Sequence, residues 1–504
     1  MPTNIWSAAL NGLEAAIISV EADAGGGDFG QITIVGLPDT AVSESKERVK
    51  SALRNCGLPF PRRKITVNLA PADLRKRGPA YDVPITISIL ALKNNFKINL
   101  ASCLLVGELS LNGEVRSVSG LLSMALAAEK AHIKTLFIPA DNVSEAALVA
   151  GLTIFPLQNL QQLIDHLRGK KLILPAQPNK LAVPAEETVL DLKEISGQEQ
   201  AKRALEITAA GGHNLLLFGP PGSGKTLLAK ALPGILPSLT FQEKLEITKI
   251  YSAAGKLKDG QTLITKRPFR SPHHSASVAA LIGGGAWPRP GEISLAHRGV
   301  LFLDEFPEFS QRVIESLRQP LEEGVLNISR VQGTLKFPAK FMLLAAMNPC
   351  PCGYQGDKRQ TCRCTPGQLI NYQHRLSGPI IDRIDLHVEV PRVALAKLTG
   401  LGSGKTSLEI RKKVELARQQ QIKRFQRLPG LTNAEMTNSI IKDFCHLDDA
   451  GYRLLSAASQ NLNLSARAYF RIIKLARTIA DLADEKNILA GHLAEALQYR
   501  PKLQ

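Results

Sequence analysis

The stretch HNLLLFGPPGSGKTLLAKAL, from His213 to Leu232, limits the fold of this 504-residue chain more than any other. The run NLLLF has the composition of a buried strand, and helix-forming residues follow from Lys225. Between them stands G-x-x-x-x-G-K-[ST], the pattern of a phosphate-binding P-loop in its required strand–loop–helix context. The eight positions are Gly219, Pro220, Pro221, Gly222, Ser223, Gly224, Lys225 and Thr226. The sequence therefore predicts a nucleotide-binding α/β domain.

The chemistry of the P-loop assigns a role to each residue type. Glycines let backbone N–H groups turn toward phosphate oxygens, and the helix N-terminus adds positive potential. Lys225 is expected to contact the β- and γ-phosphates of ATP, and the Thr226 hydroxyl is expected to bind Mg²⁺. A second GSGKT, at Gly402–Thr406, has Thr399 where the consensus requires glycine, and no apolar strand precedes it. We predict a connector there.

Two further apolar runs end in polar residues that can complete such a site. Val300–Leu303 is followed by Asp304, which fits a Walker-B carboxylate that holds Mg²⁺ through water. The next residue, Glu305, fits the general base that polarises the attacking water. The apolar strand within KFMLLAAMNP ends at Asn348, whose side-chain amide can sense the γ-phosphate. An asparagine in a turn before proline is the alternative for Asn348.

Composition shifts along the chain predict its domain organisation. Residues 1–170 alternate strand-like and helix-like patterns, with strands expected at Gln31–Pro38, Lys64–Ala70 and Thr135–Ala140. A helix with a serine cap is expected at Ser43–Gly57. Three prolines within residues 171–188 predict a linker. An α/β domain is expected over 189–397, a Gly/Ser-rich connector over 398–407, and a helical lid over 408–504.

Four of the seven cysteines stand in MNPCPCGYQGDKRQTCRCTP, and the first of them comes two residues after Asn348. Cys350, Cys352, Cys362 and Cys364 offer four thiolates, enough for tetrahedral Zn²⁺. A catalytic thiol is disfavoured because an ATPase needs none, and disulfides are disfavoured in a reducing compartment. Structural zinc and a metal-free loop both remain open.

The charge balance bears on partners. With 62 Lys and Arg against 45 Asp and Glu the net charge is +17, which favours a polyanion such as nucleic acid, although a merely basic surface remains open. No apolar run approaches the roughly 18 residues of a membrane helix. The N-terminus lacks the pattern of a signal peptide. We expect a cytoplasmic protein with no membrane partner.

Five segments carry a resemblance to a known family. They are GQEQAKRALEITAAGGHNLLLFGPPGSGKT, RPFRSPHHSAS, GEISLAHRGVLFLDE, LRQPLEEG and LSGPIIDRIDLHVEV. They resemble the Mg-chelatase-like AAA+ ATPases, and the whole chain resembles the ComM/YifB competence-related family. The resemblance implies a ring-forming, hexameric motor related to minichromosome maintenance helicases. It also implies DNA branch migration during natural transformation.

The resemblance also implies roles for three arginines. Arg383 in GPIIDRIDL matches an arginine finger that enters the neighbouring subunit's site and stabilises γ-phosphate charge. Arg375 in QHRLSGP is a weaker candidate for the same or an adjoining role. Arg467 in NLSARAYFRIIKLARTIADL matches sensor 2, on a helix of the lid. Ordinary surface salt bridges are the alternative for all three.

A hairpin is expected at Leu321–Lys340, and in this family it points into the ring pore. Arg330 and Lys336 would then contact DNA phosphates, which dominate non-specific affinity. A surface hairpin with ordinary polar decoration is the alternative.

The N-terminal region resembles the Lon-type proteolytic domain, a ribosomal S5 domain 2-like α/β fold. That fold uses a Ser–Lys dyad, but Ala80 stands at the serine position, and Leu122 and Met124 stand where lysines would. Without nucleophile or base, proteolysis by this route is excluded. We expect an assembly or DNA-contact module, for which the basic clusters Arg62–Lys64 and Arg75–Arg77 would be suited; a solvated surface is the alternative.

Two other functions remain open. One is an ATPase that drives metal insertion into a porphyrin, as magnesium chelatase does. The charge of +17 and the Lon-like region weigh against it. The other is a non-catalytic AAA+ scaffold, against which the intact Lys225, Asp304 and Glu305 weigh.

Overall fold

A computed structural model gives the architecture of most of the chain. It describes residues 3–26, 30–61, 63–93, 96–177, 190–257, 262–284, 289–330, 333–357, 359–393, 404–428, 430–462 and 464–500. Most of the predicted linker, most of the predicted connector and Arg62 therefore lie outside the described residues. The side chain of Arg330 is also outside this description.

The strands and helices are numbered here in chain order. The strands are β1 (Thr3–Asn11), β2 (Glu14–Gly25), β3 (Ile32–Val35), β4 (Lys64–Ala70), β5 (Cys103–Leu105), β6 (Glu108–Leu109), β7 (Val115–Arg116), β8 (Thr135–Pro139), β9 (Thr153–Leu157), β10 (Leu215–Phe218), β11 (Phe269–Arg270), β12 (Gly283–Gly284), β13 (Arg289–Pro290), β14 (Val300–Leu303), β15 (Val325–Arg330), β16 (Gly333–Pro338), β17 (Met342–Met347) and β18 (Leu386–Glu389). The α-helices are α1 (Thr40–Asn55), α2 (Asp82–Ala91), α3 (Leu121–Lys130), α4 (Val143–Ala146), α5 (Leu160–Leu167), α6 (Glu199–Gly211), α7 (Lys225–Ala231), α8 (Phe241–Ala253), α9 (Val278–Ile282), α10 (Glu292–Leu295), α11 (Gln311–Ser316), α12 (Arg318–Glu323), α13 (Pro366–His374), α14 (Gly378–Ile381), α15 (Ser407–Arg424), α16 (Asn438–Phe444), α17 (Asp449–Asn461), α18 (Ala466–Leu482) and α19 (Ala490–Gln498). No helix within the described ranges is long and apolar enough to cross a membrane.

The chain divides into two compact units. The first unit comprises residues 1–185 and 244–265, and the second comprises 186–243 and 266–504. The first unit is built on a seven-stranded mixed sheet in the order β3-β4-β2-β1-β5-β8-β9. The predicted strands over Lys64–Ala70 and Thr135–Ala140 are confirmed as β4 and β8, and β3 lies within the predicted Gln31–Pro38.

Helix α1 begins earlier than the sequence predicted. It starts at Thr40, and its cap is Asp39, whose carboxylate accepts a hydrogen bond from the Val42 N–H at 2.8 Å. The predicted start at Ser43 with a serine cap was wrong, because Asp39, four residues upstream, accepts a free N–H of the first turn.

The dyad positions of the Lon-like region are core positions in the first unit. Ala80, Leu122 and Met124 are all buried and belong to one apolar cluster. These side chains therefore contribute to packing, in agreement with the absence of a nucleophile and a base.

Residues 244–265 lie within the range predicted for the central ATPase domain, yet they pack with the first unit. The Ser252 hydroxyl donates to the buried Glu145 carboxylate at 2.6 Å, and Lys249 pairs with Glu14 at 2.6 Å. A buried carboxylate requires hydrogen-bond donors, and this segment supplies one of them to Glu145 of the first unit.

The second unit is built on a five-stranded parallel sheet in the order β11-β14-β17-β10-β18. Its central strands are apolar on both faces, as strands covered by helices on both sides must be. The predicted helical lid shares this core: Ile410 of α15, Ile473 of α18 and Leu493 of α19 pack in the same cluster as Leu215 and Leu344. The arrangement fits a mixed α/β, AAA+-like architecture with a parallel sheet.

Candidate active site

The candidate site lies at the carboxyl ends of the parallel strands of the second unit. Strand β10 is hydrogen-bonded to β17 on one side and to β18 on the other, although neither is its neighbour in sequence. From β10 the chain passes to β11 at the far edge of the sheet, returns through β14 and β17, and then crosses β10 to reach β18. The strand order therefore changes direction at β10, and ligands of open α/β sheets bind at such a switch point. The P-loop directly follows β10, so the fold brings it to this position.

The backbone of the P-loop requires its glycines. A Cβ atom at Gly219 would lie 2.2 Å from the Val390 carbonyl oxygen, so only glycine fits beside β18. Gly222 and Gly224 adopt φ angles of 74° and 94°, which L side chains rarely adopt. Gly224 leads into α7 at Lys225. The Ser223 hydroxyl is buried and has no hydrogen-bond partner among the described residues, which leaves a donor available to a phosphate.

Lys225 is folded back over the loop. Its Nζ donates to the carbonyl oxygens of Gly219 at 2.7 Å and Pro220 at 2.9 Å, and to Asn348 Oδ1 at 3.2 Å. These acceptors are uncharged, and burial of the side chain lowers the Lys225 pKa to about 8, against the opposing effect of Asp304. The Lys225 ammonium group is therefore poorly solvated, and an anionic phosphate bound beside it would stabilise its charge. The structure brings together Lys225 and the predicted sensor Asn348.

Thr226 and Asp304 meet beside the lysine. The Thr226 hydroxyl donates to Asp304 Oδ2 at 2.7 Å, and Asp304 Oδ1 accepts the Glu305 backbone N–H at 2.9 Å. A hydroxyl and a carboxylate are hard oxygen ligands of the kind that Mg²⁺ prefers. The two predicted magnesium ligands, 78 residues apart in sequence, therefore lie together and fit that ion.

Glu305 stands at the tip of β14 in a left-handed backbone conformation, with φ of 51°. Its side chain is about half exposed, and Oε2 lies 3.1 Å from Nδ1 of His274. The ring of His274 lies 4.1 Å from that of His273. Sequence reasoning did not single out His274, although the histidine pair in RPFRSPHHSAS was a visible signal. His274 can orient the carboxylate that is the predicted base.

The three predicted arginines do not join the P-loop of the same chain. Arg375 pairs with Glu308 at 2.7 Å, close to the turn that follows Glu305. Arg383 pairs with Glu322 at 2.5 Å, and Arg467 pairs with the same carboxylate. Among the described residues, no hydrogen bond joins Arg383 or Arg467 to the P-loop, Asp304 or Glu305. Glu322 was another residue that the sequence reasoning missed.

The four cysteines of the loop after Asn348 converge. The Sγ atom of Cys350 lies 3.4 Å from that of Cys352 and 3.7 Å from that of Cys362, and Cys352 lies 3.6 Å from Cys362. All four sulfur atoms, including that of Cys364, lie within 4.8 Å of one another. Tetrahedral zinc with Zn–S bonds of about 2.3 Å places its sulfurs roughly 3.8 Å apart, so the cluster could bind a metal.

The surroundings of the cysteines shift their pKa values in different directions: burial raises the pKa of Cys350, the pKa of Cys364 is raised as well, and only the surroundings of Cys352 favour thiolate. Backbone N–H groups of Arg363 and Tyr354 lower the Cys352 pKa to about 6. The loop also contacts the nucleotide site: a Cβ atom at Gly353 would lie 2.6 Å from Pro221 Cδ and 3.8 Å from Asn348 Cγ. Asp357 anchors the loop to Arg392 at 2.9 Å, just beyond β18.

The predicted hairpin is present. Strands β15 and β16 pair antiparallel, with Asn327 opposite Lys336, and Lys336 is exposed. Gly324, at φ of 63°, ends α12 immediately before the hairpin.

Comparison with known proteins identifies the family to which the chain is similar. The family models described as magnesium chelatase, subunit ChlI; subunit ChlI of Mg-chelatase; and magnesium chelatase, subunit ChlI C-terminal match residues 191–398, 20–142 and 404–500. The YifB protein of Salmonella typhimurium strain LT2 is 44% identical over 501 residues, which cover 98% of this chain and 96% of that protein.

Two further relatives complete the comparison. Competence protein ComM of Haemophilus influenzae is 44% identical over 502 residues, covering 98% of this chain and 97% of its own. Lon protease 1 of Hydrogenovibrio crunogenus is 27% identical over 175 residues, covering 32% of this chain and 20% of its own. The AAA+ family implies ATPase activity with ATP and Mg²⁺. This chain belongs to the ComM/YifB family of magnesium-chelatase-like AAA+ proteins.

Proposed function

We propose that this protein is a cytoplasmic, ring-shaped, hexameric motor that hydrolyses ATP to move on DNA and promotes branch migration during transformation and recombination. The observation that carries the ATPase part is the convergence of four groups at one sheet edge. Thr226 lies 2.7 Å from Asp304, and Lys225 lies 3.2 Å from Asn348. These groups come from three different strand ends, so the sheet holds them in fixed relation.

Each residue has a distinct part in the proposed hydrolysis. The P-loop N–H groups and Lys225 bind the phosphates, while Thr226 and Asp304 would hold Mg²⁺, which would neutralise phosphate charge. Glu305 accepts the proton of the attacking water, and Asn348 orients that water toward the γ-phosphate. Arg383 and Arg467 stabilise the developing charge from the neighbouring subunit. His274 holds Glu305 in place through the 3.1 Å contact.

The DNA part rests on charge and on the hairpin. The net charge of +17 is suited to a polyanionic partner, and the exposed Lys336 lies on the β15–β16 hairpin. The first unit, with Ala80 buried at the nucleophile position, would act as a non-proteolytic Lon-like module for assembly or DNA contact. The name of the Haemophilus relative, competence protein, is consistent with work on DNA.

One experiment tests the proposal against its alternatives. ATP hydrolysis by the purified protein is measured alone and with duplex, single-stranded and four-way branched DNA, and strand exchange is followed on the branched substrate. We expect stimulation by DNA and ATP-dependent branch movement, both absent in Glu305→Gln. Hydrolysis that responds only to a porphyrin-binding protein would support a chelatase instead. No hydrolysis under any condition would support a scaffold.

We also propose that Cys350, Cys352, Cys362 and Cys364 bind one structural Zn²⁺. The sulfur separations of 3.4–3.7 Å support this, and the metal would fix a loop that contacts Pro221 through Gly353. Closing the loop reduces its conformational freedom, so zinc should add to stability.

The zinc proposal is tested by metal content. Elemental analysis should find about one zinc per chain, as expected for four thiolate ligands. Cys362→Ser should lower zinc content and melting temperature, whereas Cys56→Ser, outside the cluster, should retain the metal. Metal-free protein from a chelator-free preparation, with all four thiols freely reactive, would contradict the proposal.

A further inference from the structure

Glu322 joins the two arginines that the sequence assigned to separate roles. Its Oε1 atom accepts a hydrogen bond from Nη2 of Arg383 at 2.5 Å and another from Nη2 of Arg467. The arginines are 84 residues apart (467 − 383), and they come from the segment before β18 and from the first turn of α18. One carboxylate oxygen therefore fixes two guanidinium groups side by side.

Local electrostatics favour the pairing of Arg467 with Glu322. Arg467 lies at the N-terminal end of α18, and Glu322 lies at the C-terminal end of α12. Each charge has the wrong sign for its own helix end, where the helix dipole disfavours it. The ion pair removes both penalties. The hydrogen bond from Arg383 is the largest cause that holds the Glu322 pKa below its usual range, followed by that from Arg467.

The backbone around Arg383 is fixed as well. Asn214, directly before β10, donates to the Arg383 carbonyl oxygen at 2.9 Å. Arg471, one turn after Arg467, donates to the carbonyl oxygens of Asp382 at 3.2 Å and Ile384 at 2.7 Å. Helix α18 is therefore bound to both sides of Arg383. The side chain of Arg383 is held by two contacts, since Nη1 donates to the Pro379 carbonyl oxygen and Nη2 pairs with Glu322.

The cluster is not electrically balanced. Within this group of three side chains, two arginines and one carboxylate leave one net positive charge; Glu315, which pairs with Arg318, also lies within electrostatic range of Arg383. The Arg383 side chain is only 9% exposed, and its Nε–H has no acceptor among the described residues. A buried donor without a partner is costly, and the shared carboxylate of Glu322 neutralises only one of the two guanidinium groups, so the pair is suited to binding a further anion.

We propose that Glu322 is a positioning residue, which holds Arg383 and Arg467 as one cationic group that the nucleotide phosphate of a neighbouring subunit completes. This rests on the proposed function, in which the arginines act across the subunit interface. Glu322 does not contact the nucleotide itself; it acts through the arginines. Glu322 lies three residues before β15, so it also connects the two arginines to the start of the β15–β16 hairpin.

The test compares Glu322→Gln, Glu322→Asp and Glu323→Gln in the full-length protein. Glu323 is the matched control, because it is the adjacent glutamate and accepts from Gln319 instead of an arginine. We expect Glu322→Gln to lower kcat about tenfold, a small part of the 10³–10⁵ that an arginine finger contributes. Binding of ATP to its own P-loop should be unchanged. Glu322→Asp should retain part of the rate, and Glu323→Gln should match the parent.

Mixing with Glu305→Gln separates positioning from damage. In a mixed ring, a Glu305→Gln subunit still has correctly held arginines, and a neighbouring Glu322→Gln subunit still has an intact Glu305. An active site formed between these two subunits is therefore complete, so hydrolysis should exceed that of either variant alone. Arg383→Ala, mixed in the same way, tests the proposed function. A parental rate for Glu322→Gln, or a loss that mixing does not restore while Arg383→Ala is restored, would overturn the positioning role alone. Failure of Arg383→Ala to be restored in demonstrated mixed rings would overturn the trans role, and this inference with it.

Discussion

Replacing Lys225 by methionine should change how the stability of the nucleotide-free protein depends on pH. The ammonium group is buried against the carbonyl oxygens of Gly219 and Pro220, and its pKa is lowered from 10.5 to about 8. The difference of about 2.5 pKa units corresponds to ~3.4 kcal/mol of disfavoured charge. Methionine has a similar length and no charge, so the variant removes this effect.

The direction follows from proton binding. Below pH 8 both the folded and the unfolded chain hold the Lys225 proton, and the folded chain bears the full cost of the buried charge. Between about pH 8 and 10.5 the unfolded chain retains the proton while the folded chain loses it, so parental stability rises with pH. Between pH 7 and pH 9.5 this gain is about 2 kcal/mol, or ~4–8 °C in Tm for a domain of 150–250 residues.

Thermal melts at both pH values measure this gain. The Tm of the parent minus that of Lys225→Met should increase from pH 7 to pH 9.5. Lys230→Met is the matched control, because Lys230 lies on the same helix but is exposed, and its difference from the parent should stay constant. Lys225→Met should also fail to bind ATP. A Tm difference that stays flat or decreases with pH would refute a poorly solvated Lys225, whatever the ATPase activity.

Three further predictions concern hydrolysis and DNA. Glu305→Gln should bind ATP with parental affinity in equilibrium dialysis yet hydrolyse it at least a hundredfold more slowly, because a positioned base contributes about 10²–10⁴; a parental rate would make the base assignment wrong. Arg383→Ala should bind ATP normally and lose about 10³-fold or more in kcat; an equal loss in binding would indicate structural damage. Lys336→Ala should weaken binding of all DNA sequences alike and reduce the slope of log affinity against log salt by about one; unchanged binding would remove the hairpin from the DNA interface.

The features that could be predicted from sequence are those in which neighbouring residues determine the outcome. The P-loop requires glycines, a lysine and a threonine within eight positions, and the strands before Gly219, Asp304 and Asn348 are continuous apolar runs. Parallel strands of one sheet end at the same edge, so residues that follow them meet. The 2.7 Å contact of Thr226 with Asp304 was therefore foreseeable without knowledge of the side-chain packing. The spacing and ligand count of the four cysteines made a cluster one of two possibilities, and the structure brings their sulfur atoms together.

The other features of the site depend on the directions in which side chains point, and no local sequence pattern determines these directions. Glu322 and Glu323 are adjacent glutamates in the same helical turn, so nearly the same residues surround them in the sequence. Each residue of an α-helix is rotated by about 100° from the last, so one carboxylate faces Arg383 and Arg467 while the other faces Gln319. Which of the two does so is decided by where α18 and the segment before β18 pack against α12, and that is a property of the whole core. The same reasoning holds for residues 244–265, whose Ser252 finds its acceptor Glu145 in the other part of the sequence. Hydrophobic periodicity in the sequence predicts that such polar residues lie on the polar face of a helix. Only the packed structure shows which of them has a hydrogen-bond or ion-pair partner.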